Sequence, residues 1–181
     1  MIQMQLVKAD GKAEYALLEQ LAARSGEVDR QVTAAVTEII DTVRREGDAA
    51  VREYTRRFDG VDAPLRRISR QELAEMAAGC EETVYAALQR AADNIRDFHQ
   101  RQVQQSWLTT KEDGTILGQR IRGLSRVGVY VPGGTAAYPS SVLMNAVPAR
   151  IAGVEEIVMV TPPPKNGDFN ADVMAAAYIA G

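Results

Sequence analysis

Residues Arg126 to Gly153 read RVGVYVPGGTAAYPSSVLMNAVPARIAG, and this stretch leaves the chain few ways to fold. Val127-Gly128-Val129-Tyr130-Val131 is a short apolar run rich in β-branched residues, the pattern of a buried strand. Pro132 lacks an N–H and cannot extend a ladder, so the strand stops there. Gly133 and Gly134 permit positive φ and put no side chain in the way of an approaching ligand. A helix follows, and its first N–H groups face back toward the turn, where they attract anions and polar ligands. A second apolar strand, Ile157-Val158-Met159-Val160-Thr161, comes next. The order strand, turn, helix, strand predicts a β-α-β unit. Ligands of such sheets sit at the carboxyl ends of the strands.

The residues before this unit are mostly helical. Glu14 to Arg24 is a short amphipathic segment that Ser25-Gly26 ends. Val32, Val36, Ile39, Ile40 and Val43 recur at helical spacing between Asp29 and Glu46. Gly47 closes that helix and Asp48 caps the next, on which Val51, Tyr54 and Phe58 share a face. Ser69-Arg70-Gln71-Glu72 is a capping box. The longest helix runs from Glu81 to Gln102, with Val84, Leu88, Ala91, Ile95 and Phe98 on one stripe. Near Ser106 the period changes. Trp107 to Thr110, a Glu112-Asp113-Gly114 turn and Thr115 to Arg122 predict a hairpin. Pro162-Pro163-Pro164 and Asn166-Gly167 form a loop after the second strand, and Asn170 or Asp172 caps a last helix. The expected fold is α/β, with a helical region over residues 1–105. A hairpin and the start of an incomplete, truncated Rossmann-like parallel sheet follow over residues 106–181.

Composition narrows the function classes. The formal net charge of -3 gives no electrostatic case for nucleic acid or an anionic membrane. No apolar run is long enough for a signal peptide or a membrane span. Cys80 is the sole cysteine, so no intrachain disulfide forms, which suits a cytoplasmic protein. His99 is the sole histidine and has no second ligand at metal-binding spacing. Cys80 reads as an ordinary buried thiol and Trp107 as an anchor of the hairpin.

The block VGVYVPGGTAAYPSSVLMNAVPARIAGV, together with YTRRFDG at Tyr54–Gly60, LGQRI at Leu117–Ile121 and IVMVTPPP at Ile157–Pro164, closely resembles the N-terminal portion of histidinol dehydrogenase. The resemblance implies oxidation of L-histidinol to L-histidine through the aldehyde, with two NAD⁺ and a catalytic zinc, by a cytoplasmic homodimer. It implies an NAD contact for Tyr130, at the turn formed by Pro132, Gly133 and Gly134, and a place near the cofactor for Phe58. Pro162 starts the loop where a cofactor passes in a parallel sheet. Ser140 and Ser141, after Pro139, are candidates for substrate contact.

Each candidate has a plainer reading: core packing for Tyr130 and Phe58, strand termination for Pro162, helix capping for Ser140 and Ser141. The turn has no GxGxxG fingerprint, so it is not a standard dinucleotide motif. Where the family often carries a proline before the strand, this chain has Gly123, which is expected to loosen the strand entry. The family protein is more than twice this length. The chain therefore reads as an N-terminal fragment, with the Glu-His pair and zinc ligands downstream and no catalytic or metal residue of its own. A non-catalytic remnant, or a related NAD-dependent amino-alcohol or aldehyde dehydrogenase, are the alternatives.

Overall fold

The computed structural model describes residues 6–26, 30–62, 64–132, 137–164 and 167–181. The chain divides into two compact units, Met1–Val51 and Arg52–Gly181. The first holds α1 (Ala13–Gly26), α2 (Arg30–Glu46) and the opening of α3 (Asp48–Asp59). Asp10 starts α1: its carboxylate accepts from the N–H groups of Lys12 and Ala13 at 2.9 and 2.8 Å. The apolar stripe of α2 forms as its spacing predicts, yet no residue of that helix is buried, and Val32, Val36 and Ile40 stay exposed.

The second unit contains the core. Its helices are α4 (Arg70–Ala77), α5 (Glu82–Gln100), α6 (Pro139–Ile151) and α7 (Ala171–Ala180). The capping box opens α4 as predicted. Ser69 Oγ accepts from the Glu72 N–H at 3.2 Å, and the Glu72 carboxylate accepts from the Ser69 N–H at 2.8 Å. Asn170, one of the two cap candidates, caps α7 by accepting from the Val173 N–H at 3.0 Å. Helix α7 has almost no polar face, and a helix apolar all round belongs inside. Val173, Met174, Ala175 and Ala176 are accordingly buried, with α4, α5 and α6 packed around them. From α5 come Leu88 and Ala92, and from α6 Val142, Leu143 and Val147.

The hairpin is β1 (Trp107–Thr110) with β2 (Ile116–Gln119), antiparallel, with Leu108 opposite Gly118. Gly114 takes φ +83 in its turn, and Asp113 accepts from the Thr115 N–H at 2.9 Å. Ser106 closes the base: its hydroxyl accepts from the Ile121 N–H at 2.8 Å and donates to the Ile121 carbonyl at 3.2 Å. The β-α-β unit is β3 (Arg126–Tyr130), α6 and β4 (Glu156–Val160). The two strands are parallel, with Val127 opposite Ile157 and Tyr130 opposite Val160. The Val131 N–H adds one more bond, to the Val160 carbonyl at 2.9 Å. An α/β chain of Rossmann-like type with an antiparallel hairpin was the expected class, and it is the class observed.

Three expectations change. The strand over 127–131 is buried on one side only: Val129 and Val131 face the core, while Tyr130 is 65% exposed. Helices cover one face of the sheet, so alternation replaces the continuous burial of a doubly covered strand. Phe98 has the spacing of the α5 core stripe but is exposed, as is Trp107. Gly123 does not stand in a loose entry. A Cβ there would lie 2.2 Å from the Gly153 carbonyl oxygen and 2.7 Å from that of Ala152. Gly153 ends α6 at φ +81: its N–H donates to the Arg150 carbonyl and that of Val154 to the Ala149 carbonyl, at 3.0 and 3.1 Å. The strand entry thus packs backbone to backbone on the turn that ends the helix.

Candidate functional site

Parallel pairing brings the carboxyl ends of β3 and β4 side by side, and α6 starts from that same end of the unit. Tyr130 is the last residue of β3 and its ring lies outside the core. Val131 turns inward and is fully buried, which anchors the strand terminus. Pro132 follows on the surface. Gly133 and Gly134 lie outside the described residues. Beyond β4, Pro162 is half-buried in the loop after Val160.

The start of α6 differs from the capping expectation. Its N-cap is Tyr138, whose side chain makes no capping bond, and Pro139 occupies the first turn. Neither Ser140 nor Ser141 caps the helix with its hydroxyl, and among the described residues neither hydroxyl has a partner. The Ser141 backbone is engaged. Its N–H donates to the Tyr138 carbonyl at 3.1 Å, and its carbonyl accepts from Asn145 Nδ2 at 2.7 Å. Tyr130, Pro132, Pro162, Ser140 and Ser141 therefore gather at one end of the β-α-β unit.

Phe58 comes from a different element. It sits on α3, outside the core cluster, with its ring stacked on Tyr54 at 5.7 Å and the Arg57 guanidinium 5.3 Å from its centroid. It is exposed, which also removes the simple core reading. Tyr138, exposed at the helix start, is an aromatic that sequence reasoning passed over. Its signal was its place immediately before a helix-opening proline.

The chemistry at this end is that of binding. Two exposed phenol rings, two serine hydroxyls and a helix N-terminus suit a ligand with a flat ring and anionic groups. No carboxylate, histidine or cysteine lies among residues 130–132, 138–141 or 160–164. Among the described residues no group of three His, Cys, Asp or Glu side chains is placed to hold a metal ion. A dinucleotide fits the residues present, whereas a zinc ligand set is not among them. A cavity of about 320 Å³ lies elsewhere, between α4, α5 and α7, lined by Ala77, Cys80, Tyr85 and Tyr178. There the Cys80 thiol donates to Asp172 at 3.2 Å. Desolvation pushes the thiol up from its ordinary range, and the Asp172 carboxylate adds to the effect.

Residues 22–181 match the family model for histidinol dehydrogenase. The histidinol dehydrogenase of Geobacillus kaustophilus is 53% identical over 147 residues, which are 81% of this chain and 35% of that protein. That of Syntrophotalea carbinolica is 47% identical over 180 residues, 98% of this chain and 42% of the relative. The crystal structure of histidinol dehydrogenase from Elizabethkingia anophelis superposes with a TM-score of 0.77 at 29% identity, covering 86% of this chain and 36% of that one. The chain thus spans well under half the length of the proteins it matches.

Proposed function

The chain belongs to the histidinol dehydrogenase family, and from that premise we propose that it forms one wall of the NAD⁺ site of an enzyme oxidising L-histidinol to L-histidine. One observation carries the reading: an exposed tyrosine closes the first parallel strand beside a helix N-terminus. Tyr130 offers a ring face to the cofactor, and Pro132, Gly133 and Gly134 keep the strand end free of bulk. Pro162 shapes the neighbouring strand end. Ser140 and Ser141 hold hydroxyls toward the same space. NAD⁺, when bound, accepts a hydride in each of the two steps from alcohol through aldehyde to acid.

In this reading a helical region over residues 1–105 precedes the opening α/β domain of residues 106–181, and its helices α4 and α5 pack against that domain. The chain corresponds to the N-terminal portion of the family protein, and proton transfer and zinc binding belong to the portion it does not span. The whole enzyme is a cytoplasmic homodimer. A direct test follows NADH formation by the pure 181-residue chain with L-histidinol, NAD⁺ and added Zn²⁺. No turnover is expected. Turnover above background would place the chemistry inside this chain and overturn the assignment.

A further inference from the structure

Gly128 sits in the middle of β3, where glycine is the poorest of residues: it loses the most backbone entropy and brings no side chain to pack. Two ordinary reasons for a strand glycine are absent. Its φ is not in the left-handed region. A Cβ built on it would meet nothing within 4 Å. The contrast with Gly123 and Gly118 is direct, because a Cβ on either would meet backbone oxygen at 2.2 or 2.6 Å. Those two glycines are explained by neighbours within the chain. Gly128 is not.

Side chains alternate along a strand, so Gly128 shares a face with Arg126 and Tyr130, and across the pair with Glu156, Val158 and Val160. This face is the one that α5, α6 and α7 leave uncovered. Val158 is 40% exposed and Val160 53%. Arg126 and Glu156 pair at its amino end, Nε to Oε2 at 2.6 Å, and the rest is apolar. The two strands lie about 4.8 Å apart and the three same-face rows span about 13 Å along them, a patch that one α-helix of about 10 Å diameter covers. A Rossmann-like sheet carries helices on both faces. The relatives hold ample chain to supply one, since this chain spans 35% of the Geobacillus protein and 36% of the solved Elizabethkingia chain.

We infer that Gly128 is a close-approach point. It lets an amphipathic helix, contributed by the part of the family enzyme that this chain does not span, seat against β3 and β4 beside Val158 and Val160. Tyr130, one row farther on, lies at the rim of that contact. Gly128 is thus a positioning residue for the cofactor wall. The inference rests on the reading that the chain is one part of a longer enzyme.

The test places Gly128→Ala and Gly128→Val in a full-length family enzyme carrying Arg126–Val160 of this chain, and in the 181-residue chain alone. Thermal midpoint and NAD⁺ affinity are read together. Seating of a helix predicts that the midpoint of the full-length enzyme falls from Gly to Ala to Val. In the isolated chain the same series is flat or rises, because β-branched residues favour strands. A flat or rising series in the full-length enzyme overturns the inference, and so does an equal fall in both proteins. A loss of NAD⁺ affinity at constant midpoint also overturns it, because the cofactor itself would then occupy the face. Loss of affinity on Tyr130→Ala tests the cofactor reading separately, so the two can fail independently.

Discussion

Replacing Gly123 by alanine adds one methyl group where, among the described glycines, the backbone of a neighbour comes closest. That methyl would lie 2.2 Å from the Gly153 oxygen, 2.4 Å from the Gly153 carbonyl carbon and 2.7 Å from the Ala152 oxygen. Carbon and carbonyl oxygen sit no closer than about 3.3 Å in ordinary contact, so relief needs about 1 Å of movement. All three atoms are backbone, so no rotamer change supplies it. One route moves the turn after α6, where the Gly153 and Val154 N–H groups hold carbonyls of the last helical turn. The other moves the strand entry, where the Ser125 carbonyl accepts from the Glu156 N–H at 3.1 Å and begins the parallel ladder. Overpacking of this kind costs about 1–3 kcal/mol. The lower backbone entropy of unfolded alanine returns up to about 1 kcal/mol of that. We expect a net loss of about 1–2 kcal/mol and a thermal midpoint lower by about 2–8 °C for a chain of this size. Far-ultraviolet circular dichroism on heating measures the midpoint. Amide exchange at Glu156 reports the local damage and should quicken. An unchanged or higher midpoint, with Glu156 exchange as slow as before, would refute the packing role given to Gly123.

Two further outcomes are expected. The Glu72 carboxyl is held at about 2, from an ordinary 4.5, by the Ser69 N–H, the Arg66 guanidinium and the Ser69 hydroxyl. A lowered folded pKa stabilises fully above the unfolded value and not at all below the folded one. The stability difference between the natural chain and Glu72→Gln should therefore be constant above pH 4.5 and vanish as pH falls toward 2. A difference that does not change over that window would show that the carboxylate contributes nothing. Cys80, raised by desolvation and by Asp172, should alkylate more slowly than an exposed reference thiol, and Asp172→Asn should speed it. Equal rates in the natural and Asp172→Asn chains would count against that bond.

Local signals were legible in the sequence because they act over a few residues. The Ser69–Glu72 box, the Asp113-Gly114 turn, the Asn170 cap and the β-α-β order all appear where their chemistry predicts. Coverage was not legible. Periodicity marks which residues of α2, and Phe98 of α5, are apolar, but it does not say whether a neighbour exists to bury them. The same gap made β3 read as a buried strand, although one of its faces is open. The contact of Gly123 with Gly153 joins positions far apart in sequence, and two glycines carry no periodic signature. At the candidate site the strand end and helix start were readable from Tyr130, Pro132 and Pro139. Serine hydroxyls that leave the helix uncapped were not, because serine near a helix start usually caps it.

The account turns on whether the Tyr130 ring faces a cofactor. The most direct measurement is NAD⁺ affinity, bound zinc and thermal midpoint for Tyr130→Ala in a full-length family enzyme carrying this segment. In this account the ring faces the cofactor, so its removal should leave the midpoint of the NAD⁺-free enzyme and the zinc content near those of the unsubstituted enzyme. Loss of one aromatic contact should weaken NAD⁺ binding several-fold, on the order of 1 kcal/mol. Unchanged NAD⁺ affinity, with or without a lower midpoint, would contradict the account.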